Sequence, residues 1–251
     1  MHGTRTRCEN CLVCKQGACA ALDTGARAQL SFMSRHKILP PHTPIFRDGD
    51  YADQYFNVVS GVVKLIKTFA DGHQYIIGLK YPPDFMGQML NQQHHSYSSE
   101  TATDVELCIY PRAPFETFLK QHPELERQIF DMLAHELDVC RDWMILLGRK
   151  GAYRRVAGFL LMLARRIPQD GHIQFELPLT RAEIADCLGL TVETVSRQFS
   201  RLKKKQVIDL PSSRDVAIPD IELLSAVAQL EGCSDTLDEV KAASLLDRRE
   251  R

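Results

Sequence analysis

From Pro123 the chain runs to Leu147 without a glycine or a further proline, and so unbroken a stretch commits this part of the sequence to one long helix. Along it Phe130, Leu133, Leu137, Cys140, Met144 and Leu147 recur at alternating intervals of three and four. That is a heptad seam, narrow enough to suit a single partner helix. Ile129, Met132, Val139, Trp143 and Leu146 form a second apolar stripe beside it. The pairing of stripes predicts that one face serves the chain's own body and the seam serves a second copy, as a homodimer. Burial of both stripes within one chain is the competing outcome.

Upstream the texture is different. Between Ile38 and Pro111, turn signals at Pro40-Pro41, Asp48-Gly49-Asp50, Ser60-Gly61, Asp71-Gly72 and Pro82-Pro83 separate short runs rich in Val, Ile, Phe and Tyr. The runs Tyr55–Val59, Val62–Phe69, Gln74–Leu79 and Val105–Tyr110 predict a small antiparallel roll. Convergent acids, bases or metal ligands inside the roll would mark an enzyme, and none stands out. No stretch approaches the ~18 apolar residues of a membrane span, and the N-terminus lacks the apolar core of a signal peptide. A cytoplasmic protein with no membrane partner is expected, its thiols reduced, since eight cysteines in 251 residues are too few for a disulfide scaffold.

The net charge of -1 hides a segregation. Residues 1–147 hold 14 Lys and Arg against 17 Asp and Glu, residues 148–219 hold 13 against 7, and residues 220–251 hold 4 against 8. The basic middle segment opens with an amphipathic helix, Tyr153–Arg166. Thr180 then precedes Glu183 by three residues, a capping box, and a short helix follows to Leu188. Gly189 makes a turn, Thr191 caps a second helix, and five positive charges crowd the nine residues Arg197–Lys205. Ile184, Ala185, Leu188, Leu190, Val195 and Leu202 are placed to lock two helices together, which leaves Glu193, Thr194, Ser196, Arg197 and Arg201 facing outward. This is the pattern of a helix-turn-helix that reads base edges with its second helix. Residues 207–218 read as a two-stranded wing.

Gly-Leu-Thr-Val-Glu-Thr-Val-Ser-Arg at 189–197, preceded by Leu-Thr-Arg-Ala-Glu-Ile-Ala at 179–185, closely resembles the DNA-binding segment of the CRP/FNR superfamily. Pro44–Asp50, Tyr55–Gly61 and Pro83–Gly87 match that superfamily's recurrent roll turns, so the resemblance covers nearly the whole chain. It implies an α+β chain with a jelly-roll-like β-roll sensor, a long dimerisation helix and a winged helix-turn-helix. The expected divisions are a cysteine-rich segment 1–22, the roll at 23–113, the dimerisation helix at 114–149, the DNA-binding domain at 150–219 and a C-terminal helix with an acidic tail at 220–251. By position Glu193, Ser196 and Arg197 match the residues that read the half-site, a TTGAT-type palindrome in the FNR branch, with Thr191, Thr194 and Arg201 beside them. Double-stranded DNA, a second copy and RNA polymerase are the implied partners.

Cys8, Cys11, Cys14 and Cys19 crowd the N-terminus, and Cys108 stands alone in the last strand of the roll. Four thiolates suit zinc or an iron–sulfur cluster. Zinc alone predicts two Cys-x-x-Cys pairs, and the second pair is absent. Resemblance to the alphaproteobacterial FNR-like oxygen sensors implies an oxygen-labile [4Fe-4S] cluster on three N-terminal cysteines and one in the roll. Cys8, Cys11 and Cys19 fit that branch's spacing and are preferred, with Cys108 as fourth ligand. Cys14 in place of Cys8 approximates the enterobacterial pattern and is the alternative. Cys140, Cys187 and Cys233 read as fillers or surface thiols.

The branch that binds cyclic nucleotides pairs the phosphate with an arginine in the stretch equivalent to 87–100, which here contains none. A buried phosphate without a cation is costly, so no cyclic nucleotide is expected. His94 and His95 read as exposed loop residues. The resulting expectation is an oxygen-responsive dimeric regulator, not an enzyme. Its rivals are a regulator with a zinc site or another small ligand, and a thiol oxidoreductase using Cys11 and Cys14, which lacks the βαβ context of that fold.

Overall fold

The computed structural model describes residues 11, 13–88, 92–148, 151–166 and 173–229. The chain divides into two compact units, Met1–Cys140 and Arg141–Arg251.

In the first unit, α1 (Thr24–Met33) is capped by Asp23, whose carboxylate accepts from the Ala26 amide at 2.7 Å. Eight strands follow: β1 (Arg35–Leu39), β2 (Pro44–Phe46), β3 (Gln54–Ser60), β4 (Val63–Thr68), β5 (Gln74–Lys80), β6 (Phe85–Met86), β7 (Ser98–Thr101) and β8 (Val105–Pro111). They form two antiparallel sheets of four, ordered β1-β8-β3-β6 and β2-β7-β4-β5. This is the expected roll.

Alternation along β3 and β8 assigns their two faces. Phe56, Val58, Val105 and Leu107 point between the sheets and bury with Leu39, Phe46, Val63, Leu65 and Met86. Tyr55, Val59, Cys108 and Tyr110 point the other way, into a second core. That core is closed by the N-terminal segment, by α1, by α2 (Arg112–Gln121) and by the start of α3 (Pro123–Gly148). Phe115 and Phe118 of α2 and Leu125 and Ile129 of α3 lie in it. Each fully buried side chain of this kind contributes ~1.5–3 kcal/mol. Arg112 fastens α2 to the roll, donating to Glu116 at 2.7 Å and to the Ala52 and Gln92 carbonyls at 3.0 and 2.7 Å.

Two expectations change here, and five elements are added. The segment 114–149 is two helices, because Pro123 starts a new one after His122 leaves helical geometry. Strands β1, β2, β6 and β7 and helix α1 went unplaced in the sequence, being short or, like Ser98–Thr101, polar. His95 is not exposed: it is 4% accessible and stacks on Phe46 at 3.7 Å between ring centroids.

In the second unit, Leu146 of α3 packs over Gly158 of α4 (Ala152–Ala164). A Cβ on Gly158 would lie 2.5 Å from the Leu146 Cδ1, so a larger residue there would make the Leu146 side chain shift. After β9 (Ile173–Glu176) come α5 (Arg181–Leu188) and α6 (Val192–Lys204), then β10 (Asp215–Ile218) and α7 (Ile221–Gln229). The wing is built differently from the expectation. Strand β10 pairs with β9, and within 207–218 the contact is a single bridge between Asp209 and Ala217. Among the described residues no helix is long and apolar enough to cross a membrane.

Candidate functional site

The DNA-facing candidate is held by caps at both helix starts. Thr180 accepts from the Glu183 amide at 3.2 Å while Glu183 accepts from the Thr180 amide at 2.8 Å, completing the capping box of α5. Gly189 ends α5 in the left-handed region at φ 61°, a conformation that costs glycine nothing, and Thr191 caps α6 by accepting from the Thr194 amide at 3.2 Å. Ile184, Ala185, Cys187, Leu188, Val195, Phe199 and Leu202 of the two helices are buried. Glu193, Ser196 and Arg197 are exposed on the first turns of α6, as their outward assignment requires, and Thr191 is exposed at its cap.

The site's electrostatics are specific. Its own backbone N–H and then the Thr191 hydroxyl hold the Glu193 carboxyl below the usual carboxylate range, so it is ionised and free to accept from a base amino group. Arg197 donates to the Thr194 hydroxyl at 3.3 Å, an exposed contact that a guanine is able to replace. Arg201 is half-buried, its guanidinium 4.7 Å from the Tyr153 ring centroid of α4, whereas Arg197 is exposed. Sequence reading passed over Arg181. Its guanidinium lies 3.2 Å from the Phe199 ring centroid, and burial lowers its pKa to about 10.

The cysteine site gathers residues distant in sequence. Cys14, Cys19 and Cys108 are all buried in the core on the outer face of the first sheet, and Cys11 packs against that core half-buried. Tyr110 lies among them, with its hydroxyl 3.7 Å from the Cys19 Sγ and hydrogen-bonded to Cys108 as well. Burial first, then the two cysteines, push the Tyr110 phenol well above its ordinary range. Cys8 lies outside the described residues. Cys14, left out of the preferred ligand set, is thus found in the same core as two members of it. Among the described residues no three His, Cys, Asp or Glu side chains stand close enough to hold a metal ion. The donor set is nonetheless soft sulfur throughout, shielded from water, which fits an iron–sulfur cluster or zinc and not a hard cation.

On α3 the seam is open. Phe130, Leu137, Met144 and Leu147 are 70%, 58%, 65% and 39% exposed, Cys140 is exposed, and Leu133 is half-buried. Ile129 and Leu146 of the other stripe are buried.

Comparison with known proteins places both units. A family profile described as Crp-like helix-turn-helix domain matches residues 154–227, and one described as cyclic nucleotide-binding domain matches residues 36–122. The chain is 39% identical over 224 residues to a probable transcriptional activator of Rhizobium leguminosarum bv. viciae, covering 88% of this chain and 93% of that protein. It is 37% identical over 224 residues to the transcriptional activator protein FnrL of Cereibacter sphaeroides, covering 87% and 90%. The solved structure of FixK2 from Bradyrhizobium japonicum is similar with a TM-score of 0.71 at 29% identity, covering 79% of this chain and 99% of that one.

Proposed function

Because the chain belongs to the CRP/FNR family of transcription regulators, as a DNA-binding activator of the FNR, FixK and Anr type and not an enzyme, we propose that it reports oxygen through an iron–sulfur cluster. The observation that carries this reading is the burial of Cys19 and Cys108, 91 residues from Tyr110 and two residues from it respectively, around that one hydroxyl, with Cys14 in the same core.

Cys11, Cys19 and Cys108 belong to either ligand set, and the remaining ligand is Cys8 or Cys14. A bound [4Fe-4S] group supplies iron–sulfur bonds that oxygen attacks, and so a fastening between the N-terminal segment and β8 that lasts only while oxygen is absent. The chain's own residues carry the consequence onward. The core holding these cysteines also holds Leu125 and Ile129, with Met132 and Leu133 packed against it. Leu133 is at once a seam residue, so order in the cysteine core sets the position of the helix that pairs with a second copy. A paired seam presents two recognition helices to a palindrome, with Glu193, Ser196 and Arg197 on base edges and RNA polymerase recruited beside them. This is linkage: a group that binds the pairing-competent state better shifts the population toward it by its differential affinity.

The test is anaerobic purification with iron and sulfide analysis, followed by binding to a TTGAT-type palindrome before and after exposure to air. About four iron and four sulfide per subunit, with binding lost in air, is the expected result. Zinc without sulfide, or air-insensitive binding, overturns the reading.

A further inference from the structure

Across the first sheet His36, Cys108, Asn57 and Phe85 are register partners in turn, one on each of β1, β8, β3 and β6. Directly opposed residues share a face, so this row lies on the side that carries the cysteine core. Asn57 is 2% exposed and its Oδ1 has no hydrogen-bond partner. A buried acceptor without a donor is uncommon enough to need a reason. The chain between Cys14 and Cys19 runs directly over it: a Cβ on Gly17 would lie 3.6 Å from the Asn57 Nδ2 and 3.1 Å from the Pro83 Cβ. His36, on the other side of Cys108, places its Nδ1 3.2 Å from Glu106. Asn57 therefore stands between the two sources of thiol, with a carboxamide not fully used by the protein.

A thiol has little to offer such a group, since S–H is a weak donor and sulfur a weak acceptor. A metal-bound thiolate or an inorganic sulfide is electron-rich, and a carboxamide that turns about its terminal torsion presents two N–H donors to it. Hydrogen bonds to sulfur withdraw electron density and tune a cluster's reduction potential. We infer that Asn57 is a positioning residue for the metal centre, donating N–H to the Cys108 thiolate or an adjacent cluster sulfur and thereby slowing loss of the centre in air. The inference rests on the iron–sulfur reading above.

The full-length chain is loaded anaerobically with iron and sulfide as wild type, Asn57→Leu, Asn57→Asp and Asn57→Gln. Leu and Asp have nearly the shape of Asn without its donors, and Gln keeps them. The Leu and Asp variants should take up wild-type iron and sulfide, show a lower midpoint potential and lose their visible absorption in air about tenfold faster. The Gln variant should stay close to wild type. Failure of the Leu and Asp variants to hold iron while the Gln variant holds it supports the same donor role. Wild-type potential and air lifetime in the loaded Leu and Asp variants overturn the inference alone, as does loss of iron from all three variants alike. A wild-type protein that takes up no iron or sulfide overturns the cluster reading and this inference with it.

Discussion

The Cys19 thiol stands 3.7 Å from the Tyr110 hydroxyl, 91 residues away in sequence. Because the same phenol also bonds Cys108, it joins the N-terminal segment to β8 through side chains alone. Tyr110→Phe removes these bonds and leaves the ring packed against Phe115, 4.9 Å between centroids. In metal-free protein the change should cost ~1 kcal/mol, read as a lower urea midpoint at unchanged m-value. A loss above ~3 kcal/mol would mean that the ring itself has moved.

Alkali should unfold the protein through its tyrosines. Burial and then Glu116 push Tyr55 up, burial with Glu136 nearby pushes Tyr97 up to about 12, and burial with two cysteines raises Tyr110. These groups keep their protons in the native state, whereas in the unfolded chain they ionise near pH ~10. Their contribution is therefore complete below pH ~10 and falls as pH rises toward the native values, by up to ~1.4 kcal/mol per pH unit for each tyrosine. Urea unfolding across this range measures the slope, and a flat profile would contradict the burial of these phenols.

Among the thiols, the iron–sulfur reading predicts that Cys108→Ala fails to hold iron after anaerobic loading, although its strand lies far along the chain from the N-terminal cysteines. Iron content in Cys8→Ala and Cys14→Ala then identifies the remaining ligand. Under the preferred spacing Cys8→Ala loses iron and Cys14→Ala is silent. The reverse would show that the burial of Cys14 beside Cys19 marks ligation rather than packing.

On the seam, Leu137→Glu should place like charges across a two-fold axis and yield monomers even with iron bound. Sedimentation under nitrogen decides this. Persisting dimers would move the pairing surface away from α3.

DNA contacts should separate by position on α6. Arg197→Ala is expected to cost ~1–3 kcal/mol at the cognate palindrome and little on random duplex. Lys204→Ala, exposed at the end of the helix, should weaken both alike and lower the salt slope by about one per phosphate contact. Anisotropy titrations on cognate, single-mismatch and random duplexes test both. Equal losses on all three for Arg197→Ala would place that residue on the phosphate backbone.

What the sequence made legible was governed by periodicity and punctuation. The capping box at Thr180, the left-handed Gly189 and the two stripes of α3 are local patterns whose physics does not depend on distant residues, and they stand where the sequence placed them. The wing was misassigned because β9 lies some forty residues before its partner β10, and register between distant strands leaves no local trace. His95 looked like an exposed residue because its burial depends on Phe46, reached only when the roll closes. Tyr110 and Asn57 were invisible for the same reason: each reads as an ordinary strand residue until Cys19 is set beside the first and Cys108 beside the second.

Leu133 serves two masters, being a position on the exposed stripe of α3 and a neighbour of the cysteine core. Its dual membership decides where the protein is divisible. On the proposed reading, a chimaera that keeps this roll but takes a foreign helix from Pro123 onward would sever the cysteine core from the helix that reports its state, however well both halves fold. A graft placed after Leu133, nearer the unit boundary at Cys140, carries the wiring with it and leaves the DNA-binding half as an interchangeable cartridge.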